Sequence, residues 1–461
     1  MGRGWLRKPD VWGTEPVPVE KRNLRAVDLG ILWFSLGLGL LVLFTGALLV
    51  QIWGLSLFEV LVVAVAGSVI GSLMLAAAGT TGSRHGVPTM VSLRPILGHR
   101  ASWIPSGFNS LQLLGWASFE FMIMGLGLSL ISGPFLGSAT VYLWIAILGV
   151  WVTLLALGGP LVVVRVWLEK AAVWLVLVSA AWLTYVVVTH AAFAPNFLVP
   201  SGSGDRPLGL ALDLVIVMPI SWWPLIADYN RFARGPGESF VGTFLGYTLS
   251  NSWFYFLGAG LLVVYGLVGT GPGSDPVSFI TAIVGTGLGS LVLLLIIVDE
   301  TDNAFANVYS TAVSAQNIAP RAGQRSLILA TALASIIAGS VLAAFLDVFL
   351  SVYEGFLFLI GGVFVPLLGV IVADRFVRPA YRDEEFGTEG ARANPVALGA
   401  WAVGAAVYFA IAGVGLGATV ALVPSFLPSP VGASLPAFVA AALAHAAGTK
   451  LAAPFARRAS A

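Results

Sequence analysis

Cysteine is absent from the 461 residues. That excludes disulfides, thiolate catalysis, iron–sulfur clusters and cysteine zinc sites. Histidine is scarce, with four residues and no pair at HxxxH spacing, so a metalloprotease site is excluded too. Charge is equally scarce. Charged residues make up 10% of the chain and the formal net charge is +1, whereas ordinary soluble domains are about 25% charged. No basic face is offered to nucleic acid, and no nucleic-acid partner is expected. No nucleophile–base–acid set stands out, so there is no positive case for an enzyme, and no cofactor is expected. What is abundant is apolar: 58% of the residues, with a mean hydropathy of +0.93. This is the composition of a polytopic membrane protein.

A membrane-crossing helix needs about 20 mostly apolar residues. That rule gives twelve spans, near 28–52, 57–79, 103–132, 138–159, 163–190, 208–232, 240–268, 286–318, 326–347, 352–374, 396–418 and 430–451. The polar start, with Arg3, Arg7, Lys8, Lys21, Arg22 and Arg25, leads into no short apolar run with a cleavage site, so no cleavable signal peptide is read. With the N-terminus in the cytoplasm, 22 of the 23 Lys and Arg residues fall on that side, and only Arg206 falls outside. A wrong span count would scramble this partition. The expected placement is therefore the cell membrane, with both termini cytoplasmic. The run Gly79 to Gly86 is Gly-rich but lacks the GK[ST] ending of a phosphate loop, and reads as a cytoplasmic turn. His85 and His99 read as solvated residues of the same loop, and His190 and His445 stand alone near span ends.

Irregular backbone inside a membrane is tolerated only where it is buried or lines a cavity. Span 1 carries Ser35-Leu36-Gly37-Leu38-Gly39. Span 6 carries Met218-Pro219-Ile220-Ser221-Trp222-Trp223-Pro224 and is predicted to unwind near Ser221. These spans open two consecutive five-helix blocks, 28–190 and 208–374. Paired breaks in corresponding helices point to an inverted-repeat transporter with a midplane site. The remaining segments are a tail, 1–27, a cytoplasmic loop, 375–395, two additional helices, 396–451, and a C-terminal tail, 452–461.

Span 8 carries Asp299, Glu300, Thr301, Asp302, Asn303 and Asn307. An Asp at a helix centre costs roughly 2.5–3.5 kcal/mol on insertion scales, so these acids must meet a wet cavity, a cation or a proton. Helical spacing puts Asp299, Asp302, Asn303 and Ser310 on one stripe, and Glu300, Asn307 and Thr311 on its neighbour. Span 3 carries Gln112, Trp116 and Glu120 on one face.

Several stretches resemble nucleobase:cation symporter family one. They are Gly86 to Arg94 with Gly98, Leu111 to Trp116, Met218 to Phe232, Tyr309 to Ile318, and Gly361-Val365-Pro366 with Asp374. Spans 3 and 6 look closest to the hydroxymethylpyrimidine permease branch. The resemblance implies an all-α LeuT-type fold, a five-plus-five inverted repeat plus two helices, that alternates access and is driven by Na⁺ or H⁺. It implies a heterocycle stacked on Trp116, boxed by Ser221, Trp222 and Trp223, and hydrogen-bonded by Gln112, Glu120, Asn303 or Asn307. The family's sodium site uses helix 1 carbonyls and small hydroxyl residues of helix 8. Here the corresponding residues are Ser35, Gly37, Asp299, Glu300, Thr301 and Asp302, and their acids depart from that pattern toward an acidic Na⁺ ligand set or a proton site. The working expectation is a monomeric importer of hydroxymethylpyrimidine, cytosine or a purine base. An amino-acid carrier on the same fold, a passive facilitator and a membrane-embedded enzyme are the rivals.

Overall fold

A computed structural model describes residues 12–137, 140–202, 207–269, 276–378, 380–416 and 420–459. Arg206 and the basic residues before Trp12 lie outside them. Nine of the described helices are long and apolar enough to cross a membrane, and the pair Ala26–Leu36 and Leu40–Gln51, bent by 59° at its break, makes a tenth. That pair is span 1. Spans 2 to 4 are Leu57–His85, Trp103–Leu136 and Thr140–Gly158. Span 5 runs from Pro160 through a π-helical stretch, Val163–Ala172, into Val173–Thr189. Span 6 is Leu208–Asn230. Spans 7 and 8, Pro236–Val264 and Gly289–Ile318, are 29 and 30 residues long but carry Ser250 and Asn251, or three acids, in their middles. Spans 9 to 12 are Gln324–Ala344, Phe349–Val377, Pro395–Ala412 and Ser434–Ala459.

Several boundaries differ from the sequence expectation; span 12, for one, runs on to Ala459 rather than stopping near 451. Span 2 does not turn at Gly79 but continues to His85, because its small residues pack on span 6: a Cβ on Gly82 would collide with that of Ala227. Span 11 stops at Ala412 rather than near 418, and the chain turns at Gly413 (φ 74°) into a strand, Val414–Leu416, paired antiparallel with Val420–Val423. Span 6 is not unwound at Ser221. It stays α-helical to Trp222 and tightens into a 3-10 turn at Trp223–Leu225. The ring of Pro219 fits because Gly71 of span 2 faces it; a Cβ there would collide with the proline Cγ. Pro224, lacking an N–H, sets the tightened turn.

Span 7 packs on span 2 and on both halves of span 1, span 8 packs on span 3, and spans 10 to 12 pack on one another, with span 10 also lying against span 6. Backbones meet where the second half of span 1 crosses span 7. A Cβ on Gly258 would collide with the Leu43 carbonyl oxygen, and one on Gly46 with that of Tyr255. Small residues at such crossings supply the packing that holds helices together in lipid.

The basic loops gather on one face. Arg94 donates to Asn317 Oδ1 (3.0 Å) and to the Phe386 carbonyl (2.7 Å), and Arg378 donates to the Pro95 carbonyl. His85 is not solvated. It meets Asp383 at 2.8 Å and its ring lies 4.6 Å from Phe386. Burial first, then Arg94 and Arg100, hold the His99 imidazole below its ordinary pKa. His445 is fully buried, 2.9 Å from Asp374. The N-terminal segment crosses the same face as a strap. Val17 N–H donates to Gly86 O, Leu24 pairs with Phe232 and Arg234, and Arg22 donates to the carbonyls of Val17, Arg84 and His85. Val17 and Leu24 are buried, so this stretch is part of the fold rather than a free tail.

Candidate functional site

The site starts at the break in span 1. The helix ends at Leu36, and Gly39 (φ 140°, ψ 166°) restarts it at Leu40. That backbone conformation is essentially restricted to glycine. A break strands helix donors and acceptors, which need partners in a lipid-surrounded core. Span 8 supplies them. Leu40 N–H donates to Glu300 Oε2 at 2.9 Å, and Asn303 Nδ2 donates to the Leu38 carbonyl at 3.0 Å. Just before the break, Ser35 Oγ donates to Asp299 Oδ1 at 2.7 Å. The acids of span 8 therefore face the irregular backbone of span 1.

Span 3 closes the next side. Asn307 Nδ2 of span 8 donates to both oxygens of Glu120, at 2.8 and 3.0 Å. Gln112 Nε2 donates to Asn109 Oδ1 (2.8 Å) and to the Ser221 carbonyl (3.3 Å), while Asn109 Nδ2 reaches the Pro224 carbonyl (3.0 Å) and Ser314 Oγ (2.8 Å). Amides of span 3 thus cap carbonyls around the tightened turn of span 6, a role that the sequence expectation does not include. Polar residues at i and i+3 in an apolar span, Asn109 and Gln112, are the available signal.

Between these elements lies a cavity lined by Leu36, Leu38, Leu41, Val42, Trp116, Glu120, Met218, Trp222, Glu300 and Asn303, with a volume of about 20 Å³. That is room for a water molecule, and a pyrimidine ring enters only if the walls part. Aromatic rings cover it on the side away from the strap. Trp116 meets Phe356 edge-on at 5.2 Å and Tyr353 at 6.1 Å, Phe349 and Tyr353 stack at 5.5 Å, and Tyr353 OH lies 3.0 Å from Thr45 Oγ1.

Of the residues singled out from the sequence, Trp116, Glu120, Trp222, Glu300 and Asn303 line the cavity. Trp223 does not. Its indole N–H donates to the Phe364 carbonyl at 3.1 Å, toward span 10. The Ser221 hydroxyl turns back onto Met218 O, and that of Thr301 onto Val298 O. Gly37 packs on Ser250 of span 7. The acids do not form one cage: among the described residues no three His, Asp or Glu side chains converge as a metal site. What remains beside the break is a set of buried oxygens without partners, Asp299 Oδ2, Asp302 Oδ1 and Oδ2, and Asn303 Oδ1. An oxygen-only donor set of this kind suits a hard cation or a proton.

The strap side is closed by a second polar cluster. Arg231 is fully buried and donates to the Gly13 carbonyl (2.8 Å) and to Tyr309 OH (3.2 Å). Thr89 N–H donates to Asp228 Oδ1, and Ala227 N–H to Thr89 Oγ1. Trp33 Nε1 donates to Asn230 Oδ1. Because the chain lacks cysteine, this closure is easy to probe. A Ser310→Cys variant is expected to react slowly with a membrane-impermeant maleimide, and at least about tenfold faster once Arg231→Ala releases about 1.4 kcal/mol of closure. Equal rates in the two backgrounds would show that the strap does not hold this face shut.

A bundle with a pinned central break, a buried polar cavity and closures on both sides defines a membrane transporter. The chain belongs to the family described as permeases for cytosine/purines, uracil, thiamine and allantoin, which residues 16–429 match. It is 27% identical to the cytosine permease of Escherichia coli (strain K12) over 390 residues, 81% of this chain and 82% of that protein. It is 24% identical to the putative purine-cytosine permease YxlA of Bacillus subtilis (strain 168) over 263 residues, 53% of this chain, and spans about half the length of that relative. Its fold matches Mhp1, a nucleobase-cation-symport-1 family transporter, in a closed conformation with bromovinylhydantoin bound. The TM-score is 0.79 at 20% identity, covering 96% of each chain. Against the inward-facing conformation of Mhp1 the TM-score is 0.74 at 20% identity, covering 98% of this chain and 95% of that one. The fold is thus the LeuT-type five-plus-five inverted repeat with two added helices. The chain is a multi-pass permease of the nucleobase/cation symporter class, and not an enzyme.

Proposed function

We propose that the protein imports a small aromatic heterocycle together with Na⁺ or H⁺, with hydroxymethylpyrimidine first among the candidates, then cytosine or a purine base. The observation that carries this reading is the cavity between the span 1 break and spans 3, 6 and 8. Aromatic walls supply stacking worth about 1–3 kcal/mol per base, and carboxylates and amides read a ring's edge. In this reading Trp116 and Trp222 sandwich the ring, while Glu120, Asn303 and Asn307 hold its edge. Gln112, Ser221 and Trp223 shape the span 6 turn. The coupling cation sits among Ser35, Asp299, Asp302 and the carbonyls near Gly37, with Glu300 supporting the break. The two repeats are 28–190 and 208–374. Both termini and the strap are cytoplasmic, in keeping with the distribution of basic residues, and the transporting unit is a monomer.

The test is uptake of labelled hydroxymethylpyrimidine into proteoliposomes, with unlabelled cytosine, adenine, uracil, allantoin and leucine as competitors. Competition by pyrimidine-like or purine bases is expected. Competition by leucine alone, or no uptake of any base, would leave the fold and overturn the substrate.

A further inference from the structure

A second, larger recess lies between spans 1, 6, 10 and 11, with a volume of about 240 Å³. It sits near the starts of spans 6 and 10, whose other ends reach the strap face, so it opens on the opposite side. Helical spacing builds its walls. Leu210 and Leu214 share one face of span 6, and Leu357 and Phe358 stand one turn beyond Glu354 on span 10. Trp53, just past the end of span 1, and Tyr408 of span 11 add two more rings. No residue that lines this recess lines the central cavity.

Two acids stand in this apolar and aromatic wall, and among the described residues no basic side chain lines it. Asp213 is committed to the fold. Its two oxygens accept the N–H groups of Ala433 and Ser434, each at 3.0 Å, at the start of span 12. Glu354 is not. It is half-buried and has no hydrogen bond or ion pair among the described residues. A carboxylate beside low-dielectric walls is weakly screened, so its field acts on whatever enters the recess. Aromatic faces attract charge of the same sign as that carboxylate does.

We infer that this recess binds an organic ammonium ion, with the charged nitrogen against Glu354 and an aromatic or branched alkyl body among the apolar side chains. A bare metal ion does not suit it, because one free carboxylate among carbons offers too few oxygens to replace a water shell. A phospholipid headgroup does not suit it either, because its phosphate would meet two carboxylates and no base. A wholly apolar occupant would bury Glu354 further without compensating its charge.

Calorimetric titration of the full chain in maltoside micelles tests this, with benzyltrimethylammonium as the probe. Tetramethylammonium has the charge without the body, and benzyl alcohol has the ring without the charge; each should bind at least about tenfold more weakly than the probe. Glu354→Gln should lower the affinity for the probe at least about tenfold, whereas Glu354→Asp, which keeps the charge, should retain most of it. Since Glu354 makes no internal contact of its own, the melting temperature of Glu354→Gln should match that of the wild type. Probe binding that survives Glu354→Gln, benzyl alcohol binding as tightly as the probe, or no binding of the probe at all would each overturn the inference. Displacement of the probe by added phosphatidylcholine would assign the recess to lipid and overturn it too. The readout is binding alone, and it stands whether or not a heterocycle is transported.

Discussion

Asp302→Asn is expected to abolish accumulation while leaving the protein folded. Asp302 is fully buried, and neither carboxylate oxygen has a hydrogen-bond partner. Asp299, one turn away, satisfies one oxygen through Ser35 and leaves the other without a partner. An unpaired buried carboxylate costs several kcal/mol unless a proton or a cation accompanies it. No basic side chain stands in this stretch of span 8. If the companion is the coupling ion, its release and rebinding drive the cycle. For one monovalent cation per substrate, a tenfold gradient sets a ceiling of about tenfold accumulation. Asp302→Asn removes the charge that recruits the ion, so accumulation should fall to simple equilibration. Loss of an unpaired buried charge should leave the melting temperature unchanged or raise it, which separates uncoupling from unfolding. Asp299→Asn keeps an acceptor for Ser35 and should weaken coupling less. Gradient-driven uptake that survives both substitutions would place the coupling ion elsewhere.

Gly39→Ala should be nearly as damaging, through a different cause. At φ 140° the backbone of Gly39 is in a region that side chains avoid, and a Cβ there would collide with Glu300 Oε2. Holding alanine in that conformation costs about 1–3 kcal/mol. The clash also pushes Glu300 off Leu40 N–H, leaving a buried donor without its partner at a further cost of about 1–3 kcal/mol. The combined loss of about 2–6 kcal/mol should lower the melting temperature and cut uptake by more than about 30-fold. Gly30→Ala is the control. It lies in the same span, and its nearest contact would be an ordinary 3.8 Å, from Gly242 O. If the two variants behaved alike, the break would not depend on glycine at position 39.

The features legible in the sequence are those that arise when a single helix meets lipid. Apolar length marks the spans, the basic residues mark the alternation, and acids inside span 8 mark an interior face. The Gly37–Gly39 pair marks the break because little else breaks a helix so cheaply. The course of span 6 is not legible in this way, because two prolines announce lost hydrogen bonds but do not say which neighbour absorbs them. Gly71 accommodates Pro219, while Asn109 and Gln112 cap the Pro224 and Ser221 carbonyls. The direction of Trp223 is hidden for the same reason: adjacent tryptophans point to different sides of a helix, and only the packing of span 10 decides which one faces the cavity. The strap is invisible because its binding surface, the ends of spans 2, 6 and 8, is assembled from residues far apart in the chain. The orphaned oxygens beside the break can be suspected from composition, but only the fold separates Glu300, which is used by the backbone, from Asp302, whose oxygens are left without partners.

That this polar break couples a cation to a heterocycle is tested most directly by the steady-state accumulation of labelled hydroxymethylpyrimidine in proteoliposomes under an imposed Na⁺ gradient, an imposed H⁺ gradient, or neither. Coupling predicts accumulation above the external concentration with one of the two gradients, and equilibration without either. Equilibration under all three conditions would mean a passive pathway, and would contradict coupling at the break.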